Sequence, residues 1–132
     1  MRVRRGFRYR IYPTPEQEAR LRGWEGALRV LWNLANEQRH AYVGRRAKMP
    51  SAFDQINQLT ELRADVPWLA DVPRNVCAQL LVELDLAWQR CFTKLARRPR
   101  WKKKGRDAVN LTEPHARGFR VTATGLRFPK LG

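Results

Sequence analysis

The chain has 132 residues, 43% hydrophobic and 10% aromatic, which is material for one domain core and too little for two. Its 27 Lys and Arg against 12 Asp and Glu leave a net charge of +15, an excess whose natural complement is a polyanion. Apolar runs such as ALRVLW and QLLVEL are broken by charges well before the ~20 residues of a membrane span, and no charged-then-apolar leader opens the chain. The expectation is therefore a soluble cytoplasmic protein, with nucleoid association as a variant, and no membrane partner.

The charge is concentrated at the ends. Residues 1–14 hold five Arg and no acid, residues 15–96 are nearly balanced at +1, and residues 97–132 carry +9. The first end reads VRRGFRYRIY, with Val3, Phe7, Tyr9 and Ile11 on odd positions and Arg4, Arg8 and Arg10 on even ones. This period of two predicts a strand with one apolar face and one row of guanidinium groups, suited to a phosphate backbone. The alternative for the same row is an edge strand guarded by charge.

TPEQ follows, with Thr14 as N-cap, Pro15 at the first helical position and Gln17 at the capping-box position. Leu21, Trp24, Leu28, Leu31, Ala35 and Tyr42 then recur at helical spacing, with one long gap, and predict a helix to about Arg46. Ser51 caps a shorter predicted helix carrying Ile56, Leu59 and Leu62, which ends near the turns of VPWLADVP. A third predicted helix starts at Pro73 with the stripe Val76, Leu80, Leu84, Ala87, Trp88, Cys91, Phe92 and Leu95. Trp24, Trp32, Trp68 and Trp88 read as core packing rather than as a stacking set.

That helix delivers the chain into RRPRWKKKGR, residues 97–106, where seven positive charges and Trp101 meet no carboxylate. A charge run is usually a solvated loop. Here the tryptophan among the charges offers a face for base or sugar stacking while its neighbours hold phosphates, and Gly105 permits close backbone approach. Finally FRVTATGLRFPKLG alternates Phe119, Val121 and Ala123, turns near Thr124 and Gly125, and resumes with Leu126 and Phe128, as a hairpin does.

Metal and catalytic chemistry find little support. Cys77 and Cys91 would stand about 21 Å apart on one helix, too far for a disulfide, and neither a CxxC nor a Cys/His cluster is present. Glu83 and Asp85 are two apart on a helix and diverge. His40 has no nucleophile spaced to it and His115 lies in a loop, so both read as surface residues rather than catalytic ones. No structural metal and no cofactor are expected.

Three stretches together resemble the N-terminal half of the TnpB, or OrfB-type, transposon proteins: GFRYRIYPTPEQ, PRWKKKG and LRFPKLG. VLWNLANEQR is similar to the family's aromatic-Asn stretch, with Asn33 at the matching position. The family's proteins are RNA-guided DNA nucleases, and their N-terminal region, also described as the helix-turn-helix domain of a transposase, is a wedge-like β-barrel interrupted by a helical recognition domain. The resemblance implies binding to a guide RNA scaffold and to a short motif beside the target DNA, with cleavage supplied by a RuvC-like core. The chain ends at Gly132, before the acidic residues and zinc-binding CxxC pairs of that core, so no catalytic residue is carried over.

The expected architecture is α+β: a small basic β-barrel-like sheet module from residues 1–14 and 97–132, incomplete at its C-terminus, interrupted by a three-helix insertion over 15–96. The expected function is nucleic-acid binding by Arg4, Arg8, Arg10, Arg98, Arg100, Trp101, Lys102, Lys103, Lys104 and Arg106, without cleavage by this chain alone. Two alternatives are a stand-alone basic DNA- or RNA-binding regulator, and one piece of a nuclease completed by a separately encoded part.

Overall fold

The Thr14 hydroxyl accepts from the Gln17 amide at 3.2 Å while the Gln17 side chain accepts from the Thr14 amide at 2.9 Å, a complete capping box that starts α1, Pro15–His40. Glu16 and Glu18 in the first turn and Arg39 and His40 in the last complement the helix dipole. In the computed structural model, which describes residues 6–115, 119–122 and 125–131, the helix stops at His40, short of the expected Arg46. The chain there tightens into i→i−3 bonds from Tyr42 to Arg39 and from Val43 to His40, and Gly44 takes a positive φ of 76°.

A second capping box, Ser51 with Asp54, starts α2, Ala52–Asp65. The segment expected to be a plain turn contains α3, Pro67–Ala70, a single helical turn that seats Leu69 in the core and is followed by buried Val72. The Arg63 guanidinium donates to the carbonyls of Ala70 (2.9 Å) and Val72 (3.0 Å), satisfying acceptors that α3 leaves open. α4, Arg74–Phe92, closes with Lys94 at φ 62°, and the amides of Leu95 and Lys94 donate back to Arg90 and Cys91. This is a Schellman ending, and it turns the chain sharply toward α1.

α4 packs against both α1 and α2, and α3 braces α1 and α2 from the end. Trp24, Leu28, Leu31, Leu59, Leu69, Val76, Leu80, Leu84 and Trp88 make one buried cluster. The tryptophan expectation holds for Trp24, Trp32 and Trp88, whereas Trp68 on α3 is 52% exposed. The gap in the α1 stripe is filled by polar residues: Arg39 and Asn36 are buried. Arg39 donates to Gln55 (2.9 Å) and stands 2.9 Å from Asp85, as an ion pair misaligned for a hydrogen bond, so all three long helices share one polar contact.

The expected β-barrel-like module is not what the chain builds. The strands among the described residues are β1, Arg120–Thr122, and β2, Gly125–Arg127, paired antiparallel with Arg120 opposite Arg127 and Val121 opposite Leu126. Two strands cannot close, and the protein is mainly helical. The hairpin expectation is met in place, with its turn residues 123 and 124 outside the described set. Residues 6–14 form no strand: Phe7, Tyr9, Ile11 and Tyr12 are 55 to 83% exposed, and the alternation does not pair with the β1–β2 hairpin. Beyond the basic segment, Val109, Leu111, Phe128 and Leu131 pack on the helical core, with Phe128 6.3 Å from the Trp24 ring.

Candidate nucleic-acid interface

The basic segment is docked through its backbone, and α1 supplies the partners. Asn36 donates Nδ2–H to the Pro99 carbonyl at 2.9 Å, and the His40 Nε2 lies 3.2 Å from the same oxygen. Trp32 donates Nε1–H to the Arg100 carbonyl at 3.0 Å. Asn33 makes a two-point clamp on Lys102, donating to its carbonyl at 2.9 Å and accepting from its amide at 2.8 Å. Positions 32, 33, 36 and 40 lie along one side of a 3.6-residue helix, so a single ridge of α1 holds residues 99–102 in sequence. Asn36 also accepts from Trp88 Nε1 at 3.0 Å, which ties the ridge to α4.

The loop beyond is closed by Asp107. Its carboxylate accepts from the Lys103 amide (3.0 Å) and from Arg106 Nε (2.7 Å), with Arg100 Nη2 at 3.5 Å. The Lys103 amide first, then the Arg106 guanidinium, hold the Asp107 carboxyl below the usual carboxylate range. Gly105 takes φ 81° inside this loop, a conformation that side-chain-bearing residues rarely adopt.

The ten expected site residues fall into three groups. Arg98, Lys103 and Lys104 are exposed and have no acidic partner among the described residues; Arg97, which the sequence reading passed over, shares that state. Arg100 and Arg106 share Asp107, and Lys102 sets its ammonium 4.4 Å above the Trp32 ring. Trp101 is 43% exposed, with its other side against His40 at 4.5 Å, and His40 in turn meets the Trp88 ring edge-on at 4.8 Å. His40 is thus a packing residue between two indoles, not the surface residue expected.

Arg8 and Arg10 are exposed on the irregular N-terminal arm, Arg10 standing 5.8 Å from the Tyr12 ring, while Arg4 lies outside the described residues. Among the described residues no hydrogen bond, ion pair or ring contact joins 6–13 to 97–131. The structure therefore builds one anchored basic segment and one unanchored basic arm. Among the described residues no group of three His, Cys, Asp or Glu could hold a metal and no helix is long and apolar enough to cross a membrane.

Residues 1–48 match the family described as a helix-turn-helix domain, of the OrfB type. The N-terminal part carries the OrfB-type domain sequence. The chain is 34% identical over 115 residues to the "Putative RNA-guided DNA endonuclease" of Streptomyces pristinaespiralis, an alignment covering 83% of this chain and 28% of that relative. It is 29% identical over 145 aligned positions to the "Putative RNA-guided DNA endonuclease InsQ" of Escherichia coli K12, covering all of this chain and 33% of that one. The chain thus spans a third or less of the curated relatives it matches.

The described part of this OrfB-type region contains a single helix, α1, and α2 begins only at Ala52. The connection over 41–51 is longer than the three- to four-residue turn of a DNA-reading helix pair. α2 itself carries Asp54, Glu61 and Asp65 against Arg63, whose guanidinium is committed to backbone carbonyls. A helix of that charge is poorly suited to lie on phosphates. The cations stand instead on the segment that α1 holds.

Proposed function

We propose that the chain is the nucleic-acid-binding N-terminal part of a TnpB-like RNA-guided nuclease, engaging guide RNA scaffold, target DNA, or both through residues 97–106. One observation carries this reading: a run of seven cations is fixed by its backbone to α1 while Arg97, Arg98, Lys103 and Lys104 remain exposed without acidic partners among the described residues. Backbone anchoring leaves side chains available, which suits phosphate contacts, and the outer face of Trp101 offers a stacking surface. Arg8 and Arg10, exposed on the irregular N-terminal arm, add a second basic element that is ordered on the ligand, and Arg4 adds a further cation to the same stretch of sequence. The names of the longer relatives support the RNA-guided setting, and cleavage is not assigned to these 132 residues.

The test is binding to single-stranded RNA and duplex DNA across salt concentrations. If six to eight phosphates are held, affinity falls by roughly 10³ to 10⁵ between about 50 and 200 mM salt. Binding that ignores salt refutes the proposal. Sequencing of RNA that copurifies from the host distinguishes a guide-type transcript from generic RNA, the outcome expected of a stand-alone regulator.

A further inference from the structure

We infer that Asn33 is a positioning residue for nucleic-acid binding: it fixes Lys102, and through it the whole of 99–102, in the binding conformation before any ligand arrives. The inference rests on the proposed binding role of residues 97–106 and adds a cause for its strength that net charge does not contain. Asn33 uses both ends of its amide on one residue, at 2.9 and 2.8 Å, and so fixes the Lys102 peptide groups in direction as well as in place. With the neighbouring Trp32 and Asn36 bonds, three successive anchors hold a four-residue stretch that belongs to neither helix nor sheet.

An isolated basic loop must be ordered when it binds, and the ordering is subtracted from the phosphate contacts. Here α1 has already done the ordering. Asn33 is only half-buried, and among the described residues its side chain bonds to Lys102 alone, so its task is confined to the segment; Asn36, buried and bonded to Trp88, also serves the core. The same clamp sets the course of the chain that leads the Lys102 ammonium over the Trp32 ring.

The experiment compares wild type, Asn33→Ala and Lys103→Ala/Lys104→Ala on one fluorescent single-stranded RNA over a salt series. The Asn33→Ala variant is expected to bind roughly tenfold more weakly with an unchanged salt slope, because phosphate contacts remain and preorganisation is lost. The double lysine variant lowers the slope itself, by about two. A wild type that does not bind defeats the functional reading. A wild type that binds beside an Asn33→Ala variant of equal affinity defeats only the positioning role. Amide hydrogen exchange on wild type gives an answer independent of any variant: Lys102 N–H is expected to be protected in the free protein. Exchange at an open-loop rate until RNA is added overturns the inference.

Discussion

Segments 6–14 and 97–106 are written in nearly the same alphabet, arginines or lysines around aromatic residues, and the fold treats them differently. The second is bonded to α1 at Pro99, Arg100 and Lys102 and leans Trp101 on His40. The first is exposed apart from half-buried Pro13, and the ring contacts it makes among the described residues are between near neighbours, Phe7 with Tyr9 and Arg10 with Tyr12, before Thr14 caps α1. Basic and aromatic composition marks a segment as able to meet a polyanion. Whether it is preformed depends on partners for its backbone, and those lie elsewhere in the sequence.

The sharpest way to break the contrast is at Asn36, which holds both Trp88 Nε1 and the Pro99 carbonyl from a fully buried position. Asn36→Ala leaves the buried Trp88 indole donor unpaired and takes from the Pro99 carbonyl one of its two partners, His40 being the other, and is expected to destabilise by about 1–3 kcal/mol in urea unfolding. Arg8→Ala/Arg10→Ala, on the exposed arm, is expected to leave stability within about 0.5 kcal/mol. Equal losses in the two variants would mean that the arm is as integrated as the loop.

Binding sharpens the same comparison at a smaller scale. Removing Lys103 and Lys104 is expected to weaken RNA binding by roughly tenfold near about 100 mM salt, and removing Arg8 and Arg10 by roughly threefold, because the arm must first be ordered. A larger loss from the arm, measured in the same titration, reverses the ranking.

Both helix starts were legible because they are local: the Thr14–Gln17 box and the Ser51 cap need only the adjacent turn, while the Asp54 carboxylate that completes the second box is seen only in the structure. The apolar stripes located the core tryptophans for a similar reason. That no barrel forms was not legible, since Phe7, Tyr9 and Ile11 alternate in the same way with or without a neighbouring strand, and pairing is non-local. Asn36 and Arg39 did leave a signal. They follow Trp32 and Ala35 by four residues on the α1 stripe, and a polar residue on a buried stripe must have a buried partner. His40 gave none, because its role depends on Trp88 and on Trp101, dozens of residues away.

The path from α4 to the loop carries its own strain. Lys94 holds φ 62° at the Schellman turn, and the amides of Lys94 and Leu95 already make its bonds. Lys94→Gly is therefore expected to stabilise by about 1 kcal/mol in urea unfolding, by removing the left-handed penalty without losing a bond. Loss of stability would show that the turn is held by the lysine side chain itself.

The smallest expected effect lies at the opposite end of α1. Asp71 accepts from Arg20 at 2.8 Å and from Trp24 Nε1 at 2.9 Å, and first the arginine, then the indole, hold its carboxyl below the ordinary range. A carboxyl that binds its proton more weakly when folded contributes stability above its unfolded value, near about 4, and loses it as pH falls through the folded value. Unfolding midpoints are therefore expected to decline on that acid limb, more gently in Asp71→Asn, which has no proton to take up. The pair is about half exposed, so solvent screening keeps the contribution modest. The loop should be the more acid-sensitive region: Asp107 is also depressed, and it gathers Lys103, Arg106 and Arg100 at once, so its protonation opens the turn that presents the cations. Weaker protection of the Lys103 amide below pH of about 4, with the helical core still folded, is the result expected from that difference.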